Sequence, residues 1–231
     1  MYLLRNYRSP RRLPHIVLVS TDIASKSEFE RTQADFLEHL EERINISWAT
    51  TPSEVLDHFI SVPLSNIPPL AMLLIDSSLL LPEYARIMAQ VRHYVRRGGK
   101  VVAMWRFGVP EPDDPTHRLY FNNFFSLFGT GWTLDEHRTI QLVVNPQFAE
   151  ESKQLAQRLP PCFTLEGQCI QVYQEKHSCY TANRLLGRTP IAYARIGRGC
   201  IGYVGDCQWP MNPRSIRVIE AMCHLRTSSG I

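Results

Sequence analysis

The amino-acid sequence predicts an α/β sandwich of three layers, with helices covering both faces of a central, mostly parallel sheet. Three observations predict it. Four short apolar runs, at 16–20, 44–48, 70–75 and 101–105, are bounded by polar residues, which suits strands buried on both faces. Amphipathic stretches of helical period separate them, and strand–helix–strand alternation is the crossover pattern of a parallel sheet. A later apolar pair, joined around Gly197-Arg198-Gly199, reads instead as an antiparallel hairpin.

In chain order, His15-Ile-Val-Leu-Val-Ser20 opens the sheet. Ser25 and Glu28 have the spacing of a capping box, and Phe29, Phe36, Leu37 and Leu40 share one face of the helix that follows. Ile44 to Trp48 is the second strand. Thr51-Pro52-Ser53-Glu54 starts a helix with a Thr cap, a Pro at the first helical position and a Glu that can reach back. Val55, Leu56, Phe59 and Ile60 are its buried stripe. Leu70 to Ile75 is the third strand, ending at Asp76-Ser77-Ser78. Pro82 opens a third helix with Tyr84, Ile87, Met88, Val91, Tyr94 and Val95 inward, and Gly98-Gly99 stops it. Val101 to Trp105 is the fourth strand, and Arg106-Phe107-Gly108 is a sharp turn. Many α/β enzymes carry a nucleophilic Ser or Cys at such a turn; this chain does not.

The second half is less regular. Pro110 to Pro115 is an acidic, proline-rich loop whose Asp113 and Asp114 read as solvated charges. Leu119 to Phe128 is an aromatic helix or turn stopped by Gly129. Thr139 to Val144 alternates as a strand, Pro146 to Arg158 can form a helix, and Cys162 to Tyr180 reads as short antiparallel strands. Pro190 to Arg195 and Cys200 to Val204 are the hairpin, and a closing helix carries Ile216, Ile219, Met222 and Cys223. Together these elements make a flavodoxin-like sandwich with a late antiparallel hairpin. Residues 1–14 form a basic flexible leader and 15–231 a single domain.

Charge and cysteine usage bound the function. The net charge is +3, but Arg5, Arg8, Arg11 and Arg12 sit in the leader with no acid among them. The other 21 Lys and Arg face 22 Asp and Glu, which leaves no electrostatic footprint for nucleic acid. The longest apolar runs are far too short to span a bilayer. Six cysteines fall in the last third without any Cys-x-x-Cys pair, so neither a zinc ribbon nor a disulfide framework is expected. Reduced thiols in the cytoplasm, no metal and no cofactor are the expectation.

The β-α repeat, Arg97-Gly-Gly-Lys100 before a strand, and Pro190-Ile-Ala-Tyr193 followed by Gly199-Cys-Ile-Gly-Tyr-Val-Gly-Asp206 resemble class I glutamine-amidotransferase-like domains, nearest to the ThuA-like branch. His137-Arg138-Thr139, Arg158-Leu-Pro-Pro161 and Tyr203-Val-Gly-Asp206 resemble an uncharacterised group of fungal proteins of that fold. The resemblance spans roughly residues 15 to 225. It implies a Gly-x-Cys-x-Gly nucleophile turn at the fourth strand and a His after the late strand. This chain has Trp105-Arg106-Phe107-Gly108 and Asp206-Cys207-Gln208 there. A guanidinium stays protonated and cannot act as the nucleophile, so glutamine hydrolysis is not expected.

Open α/β sheets bind ligands beyond the carboxyl ends of their strands. Those ends carry Thr21 and Asp22, Asp76 and Ser77, Arg106, and then Asp206 and Cys207, with His137 nearby. Arg106 either grips a ligand carboxylate or phosphate as a planar fork, or bridges Asp76 or Asp206. Tyr120, Phe121, Phe124 and Phe125, with Phe128 and Trp132, are either core or a docking face for a protein partner or a second copy. Two function classes follow. One is a degenerate, non-catalytic amidotransferase-like module that binds a protein or a small polar ligand. The other is a hydrolase of a small polar metabolite or sugar, with Asp76, Asp206 or His137 as acid–base groups.

Overall fold

A computed structural model of the chain describes residues 13–60, 69–108, 115–182 and 187–225. Most of the leader, and Asp113 and Asp114, lie outside them. The elements run β1 (His15–Val19), α1 (Ile23–Thr32), α2 (Ala34–Glu41), β2 (Asn45–Ala49), α3 (Pro52–Ile60), β3 (Ala71–Leu74), α4 (Ala85–Arg96), β4 (Lys100–Met104), α5 (Pro115–Leu127), β5 (Thr133–Val144), α6 (Pro146–Glu151), α7 (Lys153–Ala156), β6 (Cys162–Gln171), β7 (Tyr180–Ala182), β8 (Arg188–Thr189), β9 (Ile191–Ile196), β10 (Gly199–Val204) and α8 (Pro213–Met222). Short 3₁₀ turns precede α4 and follow β4.

The central sheet has the order β2-β1-β3-β4-β10-β9. All its pairs are parallel except β10 with β9, which form the antiparallel hairpin. Side chains alternate across it as strand geometry requires. Ile16 and Leu18 face a core shared with Phe29, Phe36, Val218 and Met222 of α1, α2 and α8. Val17 and Val19 face the other core, with Val55 of α3, Val91 and Val95 of α4, and Phe121 and Phe125 of α5. The three layers follow directly.

A second, antiparallel sheet has the order β7-β5-β6-β8. Its inner residues Ile140, Leu142, Phe163 and Leu165 join the α1/α2/α8 core. It docks on the carboxyl end of β10 through two glycines. Gln168 N–H donates to Gly205 O at 2.7 Å. A Cβ on Gly167 would lie 2.1 Å from Gly205 O, and one on Gly205 2.0 Å from Gln168 O. Backbone touches backbone there, and only glycine fits.

Local departures from the sequence expectations have physical causes. The Thr51 box forms as expected: Glu54 accepts from Thr51 N–H and donates its own N–H to Thr51 Oγ1. The Ser25–Glu28 box does not. Asp22 caps α1 instead, accepting from the N–H groups of Ala24 and Ser25 at 3.1 Å, because its carboxylate reaches two orphan donors at once. The single helix expected after β1 breaks at Gln33, whose buried side chain holds the Gln208–Met211 loop. The strand expected at 139–144 begins at Thr133, so His137 lies within β5. The helix expected at 146–158 divides into α6 and α7 at Ser152.

Candidate functional site

The parallel strands all end at one edge of the central sheet, where Asp22, Asp76, Arg106, Asp206 and Cys207 collect. β4 passes into a 3₁₀ turn, Trp105–Gly108. Trp105 has φ +56°, a left-handed backbone that costs a residue with a Cβ about 1–2 kcal/mol. Its side chain is buried and meets Phe29 edge-on at 5.2 Å. The sharp turn therefore centres on Trp105, one residue earlier than the sequence placed it, and it aims an indole into the core.

Next to it, Arg106 lies on the rim. Its guanidinium binds Glu28 of α1 with both forks, at 2.7 and 2.9 Å, and stacks 5.1 Å over the Trp105 ring. Neither Asp76 nor Asp206 is its partner, so the bridges expected from the sequence are replaced by one to Glu28. With Asp22 taking the cap of α1, the Glu28 carboxylate is turned toward Arg106. One turn further along α1, Arg31 stacks over the exposed Trp209.

The two aspartates at the strand ends are enclosed. Asp76 accepts from Ser20 Oγ and from the N–H and hydroxyl of Ser78. Ser78, and not the half-buried Ser77, makes these bonds, and its hydroxyl also meets Thr21 Oγ1 at 2.5 Å. Asp206 is fully buried. It accepts from Gln208 N–H and from Asn212 N–H, both at 3.0 Å, and so ties the loop that leads into α8. Burial pushes both carboxyl groups above the usual carboxylate range. Asp22 goes the other way: bonds from Ser25 and Ala24, with Arg106 nearby, hold it below.

Cys207 is half-buried at the same edge. Its thiol faces Gly205 O at 3.3 Å and Trp105 O at 3.8 Å. Burial pushes it up to about 11, and the Asp206 charge adds to that. A thiol so shifted is the reverse of an activated nucleophile. His137 is exposed on β5, opposite Gln168 of β6, one strand removed from the β10 edge. Of the remaining cysteines, Cys162 is exposed, and Cys169, Cys179, Cys200 and Cys223 are buried.

The aromatic group resolves toward core. Phe121, Phe124 and Phe125 are 0, 2 and 0% exposed, packed edge-on with Phe107, Phe128 and Tyr203 and tilted against Trp132. Their rings fill the gap between α5 and the sheet, so Phe121 and Phe125 offer no docking face, while Phe124 and the half-buried Tyr120 line a groove at its margin. Among the described residues, no group of three or more His, Cys, Asp or Glu is placed to hold a metal ion. No helix among them is long and apolar enough to cross a membrane.

No protein-family profile matches the chain, and no curated protein matches it. Solved structures do. A ThuA-like protein of Bacteroides uniformis superposes with a TM-score of 0.58 at 11% identity, over 96% of this chain and 94% of its own. One from Parabacteroides merdae gives 0.56 at 10%, over 96% and 93%. A Salmonella typhimurium protein described as cytoplasmic gives 0.53 at 11%, over 91% and 96%. At these identities the likeness is one of fold: the chain has the α/β fold of ThuA-like proteins.

Proposed function

We propose that this chain is a non-catalytic, amidotransferase-like module that binds an anionic group, on a small ligand or a partner protein, at the strand-end crevice. One observation carries the reading. The turn after β4 has the strained, left-handed backbone of a nucleophile elbow, yet the residue on it is Trp105, sunk in the core. Burial pushes the thiol of Cys207, at the same edge, up and away from activation. The Arg106 guanidinium remains accessible, with a side chain 43% exposed. A planar fork of this kind takes a carboxylate or phosphate in the geometry it now gives Glu28.

Within this reading the protein is cytoplasmic and related to the fungal group. The first rests on six cysteines without a secreted-type framework, the second on the short motifs around His137, Arg158 and Asp206. The hydrolase reading draws support from the raised carboxyl groups of Asp76 and Asp206, since such shifts gather at catalytic sites. It is weaker because the oxygens of both are already engaged by hydroxyl or N–H donors.

A thermal-shift screen against small carboxylates and phosphates tests the proposal. Ligands that stabilise the wild type should lose their effect on Arg106→Ala and stabilise Glu28→Gln more strongly, because Glu28 competes for the same fork. Ligand shifts identical in all three proteins would overturn it.

A further inference from the structure

A second cleft, which Arg106 does not line, runs beside α4. α4 and α5 pack on the same face of the central sheet, and the 3₁₀ turns Ser78–Leu80 and Pro82–Tyr84 flank the channel between them. The groove so formed measures about 490 Å³, within the range of small-molecule pockets, roughly 300–1,000 Å³. Met88 and Phe124 are its buried floor, and Leu81 and Leu127 stand exposed along its sides. Its opposite end is cationic. Arg92 and Arg96, one helical turn apart, line it with His93 between them in sequence, and no Asp or Glu occurs from Ala85 to Lys100.

Among the described residues neither guanidinium joins an ion pair. Arg92 Nε is shut off from solvent and meets no acceptor. Arg198 N–H, in the β9–β10 turn, donates to Arg96 O at 3.2 Å. The cationic end therefore sits at the amino ends of β4 and β10, across the sheet from Arg106.

We propose that this groove binds an amphipathic organic anion: one carboxylate on a straight-chain or aromatic hydrocarbon body. Arg92 and Arg96, with their Cβ atoms about 6 Å apart, bracket the carboxylate, and the Met88–Phe124 floor takes the hydrocarbon. A neutral hydrocarbon would cover two unpaired cations without answering their charge. A small inorganic anion would leave Leu81 and Leu127 wet. Only a ligand with both parts matches the lining.

Calorimetric titration with decanoate, below its micelle concentration, tests this beside decanol and acetate, with backbone NMR shifts locating the site. Decanoate should bind and shift α4 and α5, with decanol and acetate at least tenfold weaker. An Arg92→Gln/Arg96→Gln double variant should lose at least tenfold in affinity with unchanged melting. Should the double variant fail to fold, Leu127→Gln on the exposed wall must show the loss instead. Equal binding of decanol or of acetate, no binding at all, shifts centred on Arg106, or undiminished affinity in the variants would overturn the proposal. So would self-association of the wild type through this face that the double variant abolishes, which would give the groove to a second copy of the chain.

Discussion

Asp206 and Arg106 sit at neighbouring strand ends and read alike in the sequence, yet the fold uses them differently. Asp206 is sealed, with each carboxylate oxygen meeting a backbone N–H of the loop into α8. Arg106 stands on the rim in a two-pronged bridge to a residue of another element. The contrast teaches that a charged group at a strand end serves structure when backbone donors enclose it. In the proposed reading Arg106 serves recognition, because Glu28, its ion-pair partner among the described residues, is a side chain that a ligand can replace.

The comparison breaks most readily at Asp206. Asp206→Ala leaves two half-buried N–H groups without their acceptor, and at no more than about 1–3 kcal/mol each chemical denaturation should show a loss of about 2 kcal/mol. A loss below about 1 kcal/mol would mean the carboxylate is not what holds the loop. Asp206→Asn should cost more than Asp76→Asn. An amide can offer its one oxygen to only one of the two N–H donors on Asp206, whereas the Ser20 and Ser78 hydroxyls on Asp76 can turn to accept.

Thiol chemistry sharpens the same contrast. With its pKa pushed up to about 11, Cys207 should alkylate at pH 8 roughly a hundredfold more slowly than an ordinary thiol. The exposed Cys162 provides an internal reference in a mass-resolved time course. Equal rates at the two positions would show that Cys207 is activated after all.

Stability against pH should separate Asp76 from Asp22 by sign. Asp76 binds its proton more tightly in the folded state. Its contribution is therefore most favourable below the unfolded value, about pH 4, and declines as pH rises through the folded value. Asp22 is held down, so its contribution is present above about pH 4 and lost as pH falls through its lower folded value. The stability difference between wild type and Asp76→Asn should fall with pH, and that for Asp22→Asn should rise. Parallel curves for the two variants would remove the distinction. The smallest effect belongs to Arg106→Ala, which breaks a partly exposed pair and should cost no more than about 1 kcal/mol. A loss of 3 kcal/mol or more would make it a structural bridge.

The parallel sheet was legible because each strand is a short apolar run and each helix carries its own stripe and stop signal. The antiparallel hairpin was legible through Gly197, whose φ of +62° a turn glycine supplies freely. The site was legible only as a set of strand-end residues. Their partners come from distant elements: Glu28 from α1, Ser78 from the turn after β3, and the Gln208 and Asn212 backbone from the loop before α8. Local spacing assigned Glu28 to a cap because Ser25 and Glu28 fit that pattern, while the competing carboxylate of Asp22 won the helix start. Trp105 read as the last apolar residue of a strand, since nothing in its neighbours announces a left-handed backbone. The aromatic run at 120–128 fits core and surface equally well by spacing alone, and the packing of α5 against Phe107 and Tyr203 decides for core.

In the proposed reading the strand-end edge binds a ligand and performs no glutamine hydrolysis. Ammonia release from glutamine by the purified full chain is the measurement to make, beside Cys207→Ala. No release above the buffer rate is expected from either protein. Release by the wild type that disappears in Cys207→Ala would reveal a catalytic thiol and end the binding-only reading.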